Sequence, residues 1–214
     1  MHRITQIAAL YLCLIPFTTP MAARLDSYPL RHIDAVRAQN PPNIDAVLDD
    51  ELWNSASTVT KFYDRRTDGY SKQNTIARIA YDDKYIYVAF ECFEDPKTIV
   101  TAERKYDRTR LFSDDLVQVT FDTFHDRERA YIFTVNPLGT KMDARRGIFG
   151  FNIAWNADWQ AAAKILGNLI RFKQIQFDSR PADDSAQKIL LQCKKELNIH
   201  RSVRLLENGF FPEY

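Results

Sequence analysis

Thr75-Ile76-Ala77-Arg78-Ile79-Ala80-Tyr81-Asp82-Asp83-Lys84-Tyr85-Ile86-Tyr87-Val88-Ala89-Phe90-Glu91-Cys92-Phe93 is the stretch whose reading decides the fold. Its side chains repeat with period two, the spacing at which a strand sends neighbours to opposite faces. In the first run Ile76, Arg78 and Ala80 share one face, with Thr75, Ala77, Ile79 and Tyr81 on the other. In the second, Ile86, Val88, Phe90 and Cys92 oppose Tyr85, Tyr87, Ala89 and Phe93. Asp82-Asp83-Lys84 between them is short and polar, so the two runs predict a hairpin.

The pattern continues downstream. Leu116–Asp122 sets Val117, Val119 and Phe121 against Gln118, Thr120 and Asp122. Ala130–Asn136 sets Tyr131, Phe133 and Val135 against Ile132, Thr134 and Asn136, with a polar turn at His125-Asp126-Arg127-Glu128. Trp159–Ile165 is a further strand, and Phe172–Phe177 a weaker one. Short strands with polar turns and no helical stripe among them predict an all-β sandwich or barrel. One short helix is expected at Leu48–Ala56, where Asp49 can cap and Asp50 and Glu51 suit the first turn. Alternation stops near residue 178, and 179–214 reads as an irregular or partly helical tail, with a short helix around Ala186–Leu197.

Residues 1–23 have the layout of a secretory signal peptide. Arg3 precedes the apolar run Ile7 to Phe17, and small residues follow up to Ala23. Eleven residues are too few to span a bilayer, so the mature chain is expected to lack a transmembrane segment and to be periplasmic or extracellular. Beyond the leader only Cys92 and Cys193 remain, enough for one disulfide but not for a cysteine zinc site. The 29 Lys and Arg nearly balance 28 Asp and Glu, which argues against nucleic acid as a partner. No phosphate loop, nucleophile elbow or dinucleotide fingerprint is present, and the four histidines have no metal-ligand spacing.

Four segments in order resemble the family 9 carbohydrate-binding module and its relatives at the N-terminus of exported outer-membrane β-barrel proteins. They are Ile44-Asp45-Ala46-Val47-Leu48-Asp49-Asp50-Glu51-Leu52-Trp53, Tyr81-Asp82-Asp83 with Tyr85-Ile86-Tyr87-Val88, Ser113-Asp114-Asp115 through Asp126, and Phe133-Thr134-Val135-Asn136-Pro137-Leu138-Gly139. Trp155 and Trp159 come where the family carries tryptophans, and the match covers roughly residues 40 to 166. The resemblance implies an immunoglobulin-like antiparallel sandwich over 24–178 that binds oligosaccharide or polysaccharide and accompanies glycoside hydrolases in carbohydrate catabolism. After Ile165 the family would continue with a complete strand pair; Leu166–Phe177 matches only its last part, as in a truncated member.

Sugars offer apolar C–H faces that stack on aromatic rings, so Trp155 leads the ligand-binding candidates. Trp159 follows, although its alternation with Ala161, Ala163 and Ile165 also suits a core, as the amphipathic setting of Trp53 does. Arg78 and Arg104 are candidate sugar or carboxylate contacts, with Arg108 near; Arg78, beside Ile76 and Ala80, must reach either an acid or a ligand. Asn136 is a fifth ligand-binding candidate, at the head of a tight turn. Asp114, Asp115 and Asp122, with Asp126 and Asp143 nearby, supply oxygens of the kind that hold calcium, the one cofactor suggested. No catalytic residue is assigned. Three readings follow: a sugar-binding module, an interaction domain of an outer-membrane protein with no sugar site, and a glycoside hydrolase fragment. Exposed aromatics favour the first, burial of every Trp the second, and two carboxyls about 5 to 9 Å apart the third.

Overall fold

Hydrogen bonds pair Thr75–Tyr81 with Ile86–Phe93 along their whole length, from Thr75 opposite Cys92 to Tyr81 opposite Ile86. In this computed structural model residues 33–64, 69–123, 126, 128–148, 150–177 and 204–207 are described. With strands numbered in chain order, the hairpin is β5 (Thr75–Tyr81) and β6 (Ile86–Phe93). Four more strands complete a first sheet: β1 (Val36–Arg37), β2 (Thr58–Val59), β11 (Trp159–Leu166) and β12 (Leu169–Phe177). Its order is β1-β5-β6-β12-β11, with β2 also on β5; β1 runs parallel to β5 and the other pairs are antiparallel.

The second sheet holds β7 (Val117–Phe121), β8 (Ala130–Val135), β9 (Lys141–Gly147), β10 (Gly150–Asn152) and β13 (Arg204–Glu207), in the order β10-β9-β8-β7-β13. A small ribbon pairs β3 (Tyr63–Asp64) with β4 (Gly69–Tyr70). The chain is thus an all-β sandwich, as the alternation predicts.

One core fills the space between the sheets. Ala77, Ile79, Ile86, Val88, Phe90, Ile170 and Phe172 of the first sheet meet Val117, Val119, Phe121, Tyr131, Phe133 and Val135 of the second. These are the apolar faces read from the sequence, now turned toward each other because each sheet must remove one face from water. The central strand β6 is buried on both sides. Its other face, Tyr87 and Ala89, lies with Ala80 under Trp53, Ala38 and Ala56.

The expected helix at Leu48–Ala56 is one turn only, Leu52–Ser55, which we call α1. Asp50, rather than Asp49, organises it: its two carboxylate oxygens accept from the Asn43 N–H (3.0 Å) and the Trp53 indole N–H (3.1 Å). Trp53 is buried there, in its core role.

The short strands β1, β2, β3, β4 and β10 are not predicted by the alternation, and neither are β9 and β13, which matter more here. β9 reads Lys-Met-Asp-Ala-Arg-Arg-Gly, without clean alternation, because a carboxylate, Asp143, takes a core-side position opposite Phe133. β13 falls in the tail where no strand is expected, yet pairs with β7 from Arg204 opposite Thr120 to Glu207 opposite Val117. β12 extends from Leu169, so the pairing after Ile165 is more complete than the resemblance implies. The leader expected at 1–23, the helix expected at 186–197 and Cys193 lie outside the described residues. Among the described residues no helix is long and apolar enough to cross a membrane.

Candidate functional site

The geometry of the site begins with an unfinished ladder. β10 pairs with β9 only at Arg145–Gly147, leaving the outer edge of Lys141–Asp143 without a strand. The loop before β7 takes that edge instead: the Asp107 N–H donates to the Lys141 carbonyl, and the Asp143 N–H to Asp107 Oδ1, each at 3.3 Å. Asp107 does this with φ 55°, in the left-handed region that Asp tolerates better than most residues.

That turn delivers Tyr106. Its hydroxyl donates to Asp143 Oδ1, with Asn156 Oδ1 3.2 Å away, while Asp143 Oδ2 accepts from the Ala157 N–H. Asp143 is fully buried, so its carboxylate joins three segments beneath the surface. Burial first, then the bond to Asp143, pushes the Tyr106 phenol well above its ordinary range and keeps it a donor. The residue nevertheless stays 44% exposed. A rigidly held, exposed aromatic is a ready stacking surface, because its ordering cost is met in folding.

Around Tyr106 lies a shallow groove lined by Arg104, Leu138, Gly139, Thr140 and Lys141. The Lys141 ammonium donates to the Trp159 carbonyl at 2.7 Å and sits 4.9 Å from the Trp159 ring centre and 5.8 Å from that of Tyr106. Desolvation lowers the Lys141 pKa, against the pull of Asp143, Asp158 and Asp107. The Thr140 hydroxyl donates to the Glu103 carbonyl at 2.8 Å.

The sequence candidates fall around this groove in unequal roles. Arg104 lines it and is exposed. Trp159 is adjacent but only 3% exposed, edge-on to Phe133 at 5.2 Å, and its indole N–H is buried without an acceptor; it is a core residue and not an open platform. Trp155 is half-buried, 5.0 Å from the Tyr131 ring and 6.0 Å from that of Phe133, so its ring is largely engaged in packing.

Asn136 is buried and all four of its amide positions are taken. Nδ2 donates to the Glu103 carbonyl and to Asp114 Oδ2, both at 2.8 Å, and Oδ1 accepts from the N–H groups of Leu138 (3.1 Å) and Thr140 (2.9 Å). It shapes the groove wall and has nothing left for a ligand. Gly139 closes the same turn with φ 78°. Arg78 stands apart, on the outer face of the first sheet, where Nη1 meets Glu91 Oε2 at 2.7 Å and Arg171 Nε meets the other oxygen at 3.2 Å. Glu91 supplies the acid its charge requires.

The three calcium candidates do not converge. Asp114 Oδ2 accepts from the N–H groups of Ala102 (3.0 Å) and Glu103 (2.9 Å). Burial by itself would raise that carboxyl, but these N–H groups and the Asn136 amide outweigh it and hold it below the usual range. Asp115 Oδ2 accepts from Val100 N–H at 2.7 Å, and burial raises its carboxyl. Asp122 Oδ1 accepts from Asp126 N–H at 3.3 Å, in the turn after β7. Among the described residues no three His, Cys, Asp or Glu side chains are grouped as a metal ion requires.

Sequence reasoning missed Tyr106. Its signal is an aromatic residue between two basic ones and an acid, Arg104-Lys105-Tyr106-Asp107, in a segment without strand alternation where no core role calls for it.

No family model and no curated protein matches the chain. Solved structures do. A protein of Bacteroides uniformis to which carbohydrate binding is ascribed is 16% identical over 81% of this chain and 76% of its own, with a TM-score of 0.50. Two structures of a family 9 carbohydrate-binding module from Caldicellulosiruptor kristjanssonii are each 17% identical with TM-scores of 0.49. One is in complex with cellotriose and matches 67% of this chain, which spans 66% of that structure, just under two thirds. The other, in complex with glucose, matches 70% of this chain and 81% of its own. At such identities the likeness is one of fold alone, and it rests on the Bacteroides uniformis protein.

Proposed function

We propose that the chain is a non-catalytic carbohydrate-binding module whose sugar stacks on Tyr106 in the groove between the 104–107 loop and the β8–β9 turn. The observation that carries this reading is Tyr106, a residue 44% exposed yet anchored through its hydroxyl to a buried carboxylate. Arg104 and Lys141 beside it supply hydrogen-bond donors. The sandwich fold, shared with the Bacteroides uniformis protein, agrees with the reading without specifying the ligand.

The test is a fluorescence titration of the full chain with a panel of oligosaccharides, with and without calcium. A saturable response is expected, weakened at least about tenfold by Tyr106→Ala, a loss of about 1.4 kcal/mol. Trp155→Ala is the paired control, expected to cost stability through lost packing more than affinity. An unaltered titration curve in Tyr106→Ala would dismiss this groove.

Burial of Trp53 and Trp159 favours a second reading, an interaction domain of an outer-membrane protein with no sugar site. Silence across the whole panel from folded protein would select it. Both readings place the chain outside the cytoplasm, in carbohydrate breakdown for the first, on the strength of the leader pattern at 1–23. Exported protein should then begin near residue 24; recovery of an intact N-terminus from the cytoplasm alone would remove export.

A further inference from the structure

We propose that the sugar this groove selects is acidic, carrying a carboxylate or a sulfate; the inference rests on the carbohydrate reading above. Neutral sugar hydroxyls both donate and accept, so a site for them needs acceptors as well as donors. This groove has no carboxylate or amide side chain to accept from them. The Tyr106 hydroxyl has given its proton to Asp143 and that of Thr140 to the Glu103 carbonyl, so each offers only a neutral oxygen as acceptor, and Leu138 and Gly139 bring no polar side chain. What remains is Arg104 and Lys141, which only donate, and no acid lines the groove with them.

The surroundings reinforce this. The segment 104–110 holds four cations, Arg104, Lys105, Arg108 and Arg110, all exposed. None of the four is in a salt bridge among the described residues. Arg110 attracts Asp114, and most of the other nearby acids are held by backbone N–H groups. Glu103 Oε1 accepts the N–H groups of Arg104 (2.9 Å) and Lys105 (2.8 Å), Asp107 that of Asp143, and Asp143 itself is buried. Asp158, exposed, pulls on Lys141 but does not line the groove. An acceptor-only group on a pyranose ring answers both features: its oxygens match the guanidinium fork, and its ring carbons the tyrosine face.

Calorimetric titration of the full chain with trigalacturonate, its fully methyl-esterified form, a sulfated oligosaccharide of similar length and single-stranded DNA decides the matter. An acidic sugar is expected to bind at least about tenfold tighter than the ester, to weaken with added salt, and to lose about tenfold with Arg104→Gln. Equal binding of the ester would overturn the acidic preference and leave the carbohydrate reading standing. DNA binding as tight as the acidic sugar, or indifference to Arg104→Gln, would overturn it in favour of unspecific charge attraction. If no sugar binds, both readings fall.

Discussion

Phe133→Ala is expected to lower the unfolding free energy by about 3–5 kcal/mol, the usual cost of removing a large buried ring and leaving a cavity. The side chain is fully buried at the centre of β8. Phe121 lies 6.1 Å away edge-on, Trp159 5.2 Å and Trp155 6.0 Å, so one ring ties β7, β8, β11 and the 153–158 loop together. Edge-on geometry adds to the area buried, because the positive rim of one ring meets the negative face of the next. Against a total stability of about 5–15 kcal/mol, such a loss shifts the urea midpoint far down or unfolds the chain. Phe133→Leu, which keeps most of the volume, should cost less than half as much. Equal midpoints for wild type and Phe133→Ala would mean that the two sheets do not share this core.

The second large effect is expected at Asp143. Asp143→Ala removes the acceptor from the Tyr106 hydroxyl and the Ala157 N–H together, leaving two donors unsatisfied at about 1–3 kcal/mol each. The phenol can recover part of this through Asn156, so a net loss of about 2–3 kcal/mol is anticipated in chemical denaturation. Tyr106→Phe alone should cost less, since it removes one donor and leaves the carboxylate with the Ala157 N–H as partner. The double variant should cost less than the sum of the two, with a coupling of about 1 kcal/mol. Strict additivity would show that the hydroxyl and the carboxylate do not act as a unit, and the platform would lose its anchor.

Much of the sandwich was legible because strands with one buried face alternate. β5, β6, β7, β8 and β11 lie where period two puts them, and Ile86, Val88 and Phe90 face the core as read. β9 was hidden because its inward carboxylate breaks the alternation, and the hydroxyl that makes this tolerable lies 37 residues away in sequence. β13 was hidden because four residues give too short a sample of any period. The site was half legible. Arg104, Trp159 and Asn136 lie at or beside the groove, yet Asn136 and Trp159 serve its walls and Trp155 packs on Tyr131 and Phe133, since only packing decides whether an aromatic or amide is open or enclosed. Arg78 was read as needing an acid or a ligand, and the neighbouring strand provides the acid.

The strand order of the two sheets also sets a timetable. In the second sheet β7, β8, β9 and β10 are neighbours both in sequence and in space, so their pairing closes only short loops. The first sheet cannot do this. β12 lies between β6 and β11, and its Arg171 meets Glu91 across 80 residues of chain. On the ribosome the β5–β6 hairpin must wait, one edge bare, while the whole second-sheet meander is made and residues 169–177 emerge. Pairings of such long range close late and slowly. The hairpin that announces the fold in the sequence is therefore among the last elements to be sealed into it.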